Sequence, residues 1–236
     1  MRLDKYLAHA GYGTRKEVKQ LIRKKRIQVN QQIVSKDDVQ IDEVNDLVHV
    51  DGECVIYQKY VYYMMNKPQG VISATSDAKQ QTVMDLFEEF VPLDAFPVGR
   101  LDIDTTGLLL ISNDGALAHE LLAPKKHVDK VYEVSCANII NEEQISRLEA
   151  GVTIEPDEVC KPAKVKLVND QVMLLTIHEG KFHQVKRMLL AVGNEVIQLK
   201  RIQMGSLKLD EDLVEGCYRP LSISEVKQLK NEEEKL

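Results

Sequence analysis

The basic side chains of this chain are not spread evenly along it. Residues 1–36 carry ten Lys and Arg against two acidic residues, a balance of +8, while the rest of the chain carries 21 against 35, a balance of −14. Segregation of this size predicts a small polyanion-binding module joined to an acidic body. It is hidden in the overall figures, a net charge of −6 and a sequence pI near 5.6. At 236 residues, 44% hydrophobic and 29% charged, the chain has room for one small and one medium domain and is too apolar to be mainly disordered. No apolar run reaches the roughly 18 residues that span a bilayer. The N-terminal MRLDKYLAHAG lacks the apolar core of a signal peptide, so a cytoplasmic location is expected. Cys54, Cys136, Cys160 and Cys217 form no C-x-x-C pair, which argues for free thiols and against a zinc or redox centre. Trp is absent, so Leu, Ile, Val and Met must build the core.

Within the basic segment, Leu3, Leu7 and Ala10 recur at helical spacing, and Gly11 suits the position just past a helix end. Thr14-Arg15-Lys16-Glu17 has the form of a capping box that opens a second helix. Val18, Leu21 and Ile22 make its apolar face, and Arg15, Lys19 and Arg23 repeat every four residues on another, a stripe able to follow a phosphate backbone. RIQVNQQIV then reads as two short strands turning near Asn30-Gln31-Gln32. Beyond, VYYMMN, LLLIS, KVYEVSC, AKVKLV and VMLLTI read as strands, and TVMDLFEEF, GALAHELL, NEEQISRLEAG and HQVKRMLLAVG as helices. Ser222-Ile223-Ser224-Glu225 is a second capping box, opening a polar helix that runs to Glu232-Glu233-Glu234. Interleaving without a βαβ rhythm predicts an α+β fold.

The chemistry concentrates in Val98–Leu110, VGRLDIDTTGLLL, where Arg100, Asp102 and Asp104 crowd just before a hydrophobic strand between Gly99 and Gly107. A carboxylate fixed there by a buried strand is both positioned and reachable. From the residues alone, Asp102 could be a lone nucleophile or base, Asp102 and Asp104 could hold a magnesium ion, or the acids could only cap turns. A second cluster, His178 to Met188 (HEGKFHQVKRM), gathers potentially cationic groups at a loop-to-helix junction. One of them placed beside Asp102 would favour its ionised form and offer contacts to phosphate. Lys125, Lys126 and Lys130 could likewise touch phosphate or be merely solvated.

The N-terminal segment resembles the S4 RNA-binding domain, through RLDKYL (Arg2–Leu7), GYGTRKE (Gly11–Glu17) and RIQVN (Arg26–Asn30). The rest resembles the bacterial rRNA pseudouridine synthases of the RsuA family, through YMMNKPQGVIS (Tyr63–Ser73), GRLDIDTTGLLL, DKVYEV (Asp129–Val134) and EGKFHQVKRML (Glu179–Leu189), with AVGNEVIQLKR and GCYRPLSISEV in the same order. HQVKRM and NKPQGV are similar to the small-subunit 16S enzyme rather than to large-subunit relatives with patterns such as NR(Q/E)(I/V)RR. The resemblance implies an S4 module over residues 1–58, two helices and a small sheet. A synthase domain then covers residues 59–236, with a mixed, mainly antiparallel sheet flanked by helices. It implies isomerisation of a uridine in 16S rRNA, with Asp102 as nucleophile or base while the uracil is cut from C1′ and rejoined through C5. Tyr132 would stack on the flipped base, Lys186 rather than Arg187 would pair with Asp102, and Arg100 would fill the space the base leaves. Arg187, Arg15, Lys16, Lys19 and Arg23 are the expected RNA contacts. No cofactor and no metal are expected, and the partner is 16S rRNA or an assembling small subunit, met by a monomer. The alternatives are a non-catalytic S4-type ribosome-assembly factor, a synthase acting on 23S rRNA, and a metal-dependent hydrolase using Asp102 and Asp104.

Overall fold

The computed structural model describes residues 1–88, 91–92, 94–123 and 126–231. The chain groups into two compact units, Met1–Val61 with Phe87–Ala95, and Tyr62–Leu86 with Phe96–Leu236.

In the first unit, helix α1 (Leu3–His9) is followed by Gly11 at φ +95°, a left-handed residue that suits glycine. Helix α2 (Arg15–Arg23) starts on the expected capping box: Glu17 N donates to Thr14 Oγ1 (3.3 Å) and Thr14 N donates to Glu17 Oε2 (2.7 Å). Leu3, Leu7, Val18 and Ile22 bury the apolar faces of both helices against Ile27 and Val48. Strands β1 (Ile27–Val29) and β2 (Gln32–Val34) turn through Asn30 and Gln31, whose φ values of +49° and +66° give the primed turn that matches strand twist. With β3 (Val48–Val50) and β4 (Glu53–Cys54) they form a sheet in the order β2-β1-β3-β4.

The second unit opens with β5 (Tyr62–Lys67), β6 (Phe96–Val98) and β7 (Thr106–Ser112), then α3 (Gly115–Leu122), β8 (Lys130–Cys136) and α4 (Glu142–Ala150). A two-stranded ribbon, β9 (Thr153–Glu155) and β10 (Glu158–Val159), precedes β11 (Lys164–Asn169), β12 (Val172–Ile177) and α5 (Gln184–Ala191). The unit ends with β13 (Val196–Met204), β14 (Leu207–Lys208), β15 (Tyr218–Pro220) and α6 (Ile223–Leu229), which the second capping box opens. The main sheet runs β11-β12-β8-β13-β7-β5-β15, with β6 on β7 and β14 on β13. Its pairs are antiparallel except β7–β13, so the fold is α+β with a mixed, mainly antiparallel sheet. Residues 107–112 of β7 are all buried, as the apolar run requires of a strand flanked on both edges. Among the described residues of TVMDLFEEF, 82–88, the expected helix does not form. Only a 3₁₀ turn, Val83–Leu86, is made, because Val83 N donates to Ile72 O and Thr82 bridges Ile72. Glu89, Phe90 and the acidic run Glu232–Glu234 lie outside the described residues.

Candidate active site

One row of paired residues crosses the sheet and joins segments far apart in sequence. Leu175 on β12 faces Tyr132 on β8, Tyr132 faces Arg201 on β13, Arg201 faces Gly107 on β7, and Gly107 faces Lys67 on β5. Gly107 holds φ +98°, and a Cβ there would lie 2.3 Å from the Arg201 carbonyl oxygen. The glycine is therefore what lets β7 approach β13.

Asp102 sits in the loop that enters β7, and that loop rests on the segment after β5. The Lys67 ammonium, fully buried, donates to the carbonyls of Pro68 (3.0 Å), Asp102 (3.0 Å) and Thr105 (2.9 Å). Burial pushes the Lys67 pKa down to about 8, against the opposing pull of Asp104 and Asp102. Ser73 Oγ donates to Leu101 O and accepts from Leu101 N, each at 3.0 Å, while Gly70 N donates to Ile103 O (2.8 Å). The NKPQGVIS segment is thus a cradle of donors for the backbone of residues 101–105.

The side chains come from the other direction. Helix α5 projects Lys186, whose Nζ is 3.3 Å from Asp102 Oδ2 and 2.5 Å from Asp104 Oδ1. That hydrogen bond holds the Asp104 carboxyl below its ordinary range, and the ammonium fills the place where a cation would bridge the two acids. His183 Nε2 lies 3.6 Å from Asp102 Oδ1. His183 precedes α5 in a left-handed conformation, φ +48° and ψ +34°, with no capping hydrogen bond from its side chain. Strain of this kind in a non-glycine residue persists only where the surroundings enforce it.

Arg100, Asp102, Tyr132, Gly180, His183 and Leu199 line an open pocket. Tyr132 is buried on the sheet, and Arg100 is exposed with no ion-pair partner among the described residues.

The structure therefore brings Asp102, Lys186, Tyr132 and Arg100 together, and separates others that the sequence grouped with them. Arg187 points elsewhere: its guanidinium binds Glu158 (2.6 Å) and Glu155 (2.7 Å) and donates to Phe182 O (3.0 Å), so its charge is already neutralised. Lys19 is similarly engaged, by Asp37 at 2.9 Å and Asp4 at 3.9 Å, which leaves Arg15, Lys16 and Arg23 as the exposed cations of α2. Lys130 is buried with its ammonium on Val128 O, Lys126 lies 3.7 Å from Glu120, and Lys125 is outside the described residues. Sequence reasoning did not single out Lys67 or Arg201. Arg201 is buried beside the site, its Nε donating to Leu108 O (2.8 Å). Both lie within the quoted family motifs but outside every run that the sequence marked as a strand, so local pattern gave no sign of their burial. Among the described residues, no three His, Cys, Asp or Glu side chains cluster as a metal site would need. None of the described helices is long and apolar enough to cross a membrane.

Comparison with known proteins identifies the family. Residues 61–191 match the RNA pseudouridylate synthase family, and residues 1–48 match the S4 domain. The chain is 51% identical over 231 residues to an uncharacterized RNA pseudouridine synthase of Bacillus subtilis, covering 96% of this chain and 97% of the relative. It is 37% identical to the ribosomal small subunit pseudouridine synthase A of Haemophilus influenzae (97% and 99% covered). It is 39% identical to the ribosomal large subunit pseudouridine synthase B of Bacillus subtilis (97% and 95% covered). A crystal structure of a pseudouridylate synthase, 37% identical, superposes with a TM-score of 0.69 over 97% of this chain and 99% of that one. The chain belongs to the RNA pseudouridine synthases and carries an S4 domain at its N-terminal end.

Proposed function

We propose that this synthase isomerises one uridine of 16S rRNA, with Asp102 as the group that acts on the nucleotide as nucleophile or base. The observation that carries the reading is the placement of the Asp102 carboxylate at the pocket wall, 3.3 Å from the Lys186 ammonium, on a backbone pinned by Lys67 and Ser73. The target must leave the RNA stack to reach it, at a cost of a few kcal/mol. Tyr132 offers a flat face to the displaced base, and the exposed Arg100 can enter the gap it leaves. The N1–C1′ bond then breaks, the uracil turns, and a C5–C1′ bond forms. N1 gains a proton and C5 loses one, so the reaction balances without a co-reactant. Lys186 offsets the charge of Asp102 and holds its orientation through the sequence. Arg15, Lys16 and Arg23 supply contacts to phosphate.

The choice of 16S rRNA is supported by the HQVKRM and NKPQGV motifs and by the small-subunit relative. The large-subunit relative is about as similar, and the test includes it for that reason. The experiment is tritium release from 16S and 23S rRNA labelled at uridine C5, with wild type and Asp102→Asn, with and without chelator. Release from 16S rRNA by wild type alone, unaffected by chelator, is expected. Release from 23S rRNA only would move the target. Release by Asp102→Asn at the wild-type rate would remove Asp102 from the chemistry.

A further inference from the structure

The Phe182 side chain is 75% exposed, although burying a phenyl ring is worth roughly 1.5–3 kcal/mol. The loop that displays it is not loose. Lys181 N donates to Gln184 Oε1 (3.0 Å), Gln184 Nε2 donates to Glu179 Oε2 (3.2 Å), and that same oxygen accepts from Lys161 N (3.0 Å). Lys181 Nζ donates to Val159 O (2.6 Å), and Arg187, braced by two glutamates, donates to Phe182 O. The ring is stacked on His183, centroids 3.8 Å apart and planes 20° apart, and His183 keeps a left-handed backbone while reaching toward Asp102. An apolar ring is thus held flat and open against the imidazole that lies beside the Asp102 carboxylate.

We infer that Phe182 is a stacking platform for an unpaired nucleobase of the substrate RNA, the neighbour of the uridine that enters the pocket. A base is the occupant the surroundings favour. It is planar, it tolerates the open edge of the platform, and the exposed Arg100 in the pocket wall offers a cation to the strand carrying it. Flipping a uridine also leaves its neighbour without a stacking partner, and Phe182 takes that partner's place. This inference rests on the RNA isomerase reading above and extends it to a second nucleotide.

The chain contains no tryptophan, so Phe182→Trp installs a single tryptophan at the platform, excited selectively over the tyrosines. Its emission is followed while transcribed 16S rRNA, transcribed 23S rRNA or a short oligouridylate is added, with binding measured separately by filter retention. Quenching that tracks binding is expected. In parallel, Phe182→Ala and Phe182→Leu should raise KM for the turned-over rRNA by about 5- to 150-fold with kcat little changed, while Phe182→Tyr stays near wild type. Unchanged emission with an RNA that is retained, no retention of any of these RNAs, or an unchanged KM for Phe182→Ala would overturn the inference. Quenching needs only bound RNA, so absent tritium release by wild type would strike the isomerase reading and leave the platform to stand or fall on the fluorescence.

Discussion

Gly107→Ala places one methyl group where the sheet has no room for it. The new Cβ would lie 2.3 Å from Arg201 O, 2.9 Å from Arg201 N and 2.9 Å from Lys200 Cγ. Two of the three are backbone atoms of the neighbouring strand, which cannot rotate aside. The strands are paired there by only two registered positions, Lys200 with Thr106 and Arg201 with Gly107, so separating them gives up the one parallel junction of the sheet. Holding alanine at φ +98° adds about 1–2 kcal/mol and overpacking typically about 1–3 kcal/mol. The expected loss of stability is therefore about 2–5 kcal/mol, read by urea unfolding followed by far-UV circular dichroism. Turnover should fall as well, because β7 carries the Asp102 loop at its entry. Gly115→Ala is the control: a Cβ there meets nothing within 4 Å, in the first turn of α3, and the change should be within about 0.5 kcal/mol of wild type or stabilising. A loss below about 1 kcal/mol for Gly107→Ala would refute the close-approach argument.

Lys67 titrates near pH 8 when folded and near 10.5 when unfolded, so between those values the unfolded chain holds a proton that the folded chain has released. Stability relative to Lys67→Met should then rise with pH across that window, by about 3 kcal/mol at most, and a flat difference in parallel urea titrations would disprove it. In the N-terminal unit, Arg15→Ala with Arg23→Ala should flatten the log–log salt dependence of rRNA binding by about 0.9 for every phosphate that these two side chains neutralise. Lys19→Ala should leave that slope unchanged, since Asp37 and Asp4 already hold its ammonium.

Much of this was legible in the amino-acid order. Capping boxes at Thr14 and Ser222 and the turn at Asn30-Gln31 are local, and local geometry decides them. The charge segregation marked the S4 end of the chain, and six ordered motifs identified the family. Where local pattern failed, a distant partner had intervened. TVMDLFEEF has helical spacing, but Ile72 takes its first backbone groups, and Phe87–Ala95 belongs to the N-terminal unit. Lys186 and Arg187 are neighbours in sequence and both cationic, yet the helix turns the first to Asp102 and the second to a pair of glutamates on the β9–β10 ribbon. The order of residues settles where charge lies, which runs form elements, and which motif holds the carboxylate. It took the assembled fold to settle which cations remain available to a substrate, that Lys67 pins the loop from beneath, and that Phe182 is left open. The reason is physical: hydrophobic period and capping act over a few residues, whereas charge neutralisation, burial and exposure are fixed by groups that the sheet brings together from distant parts of the chain.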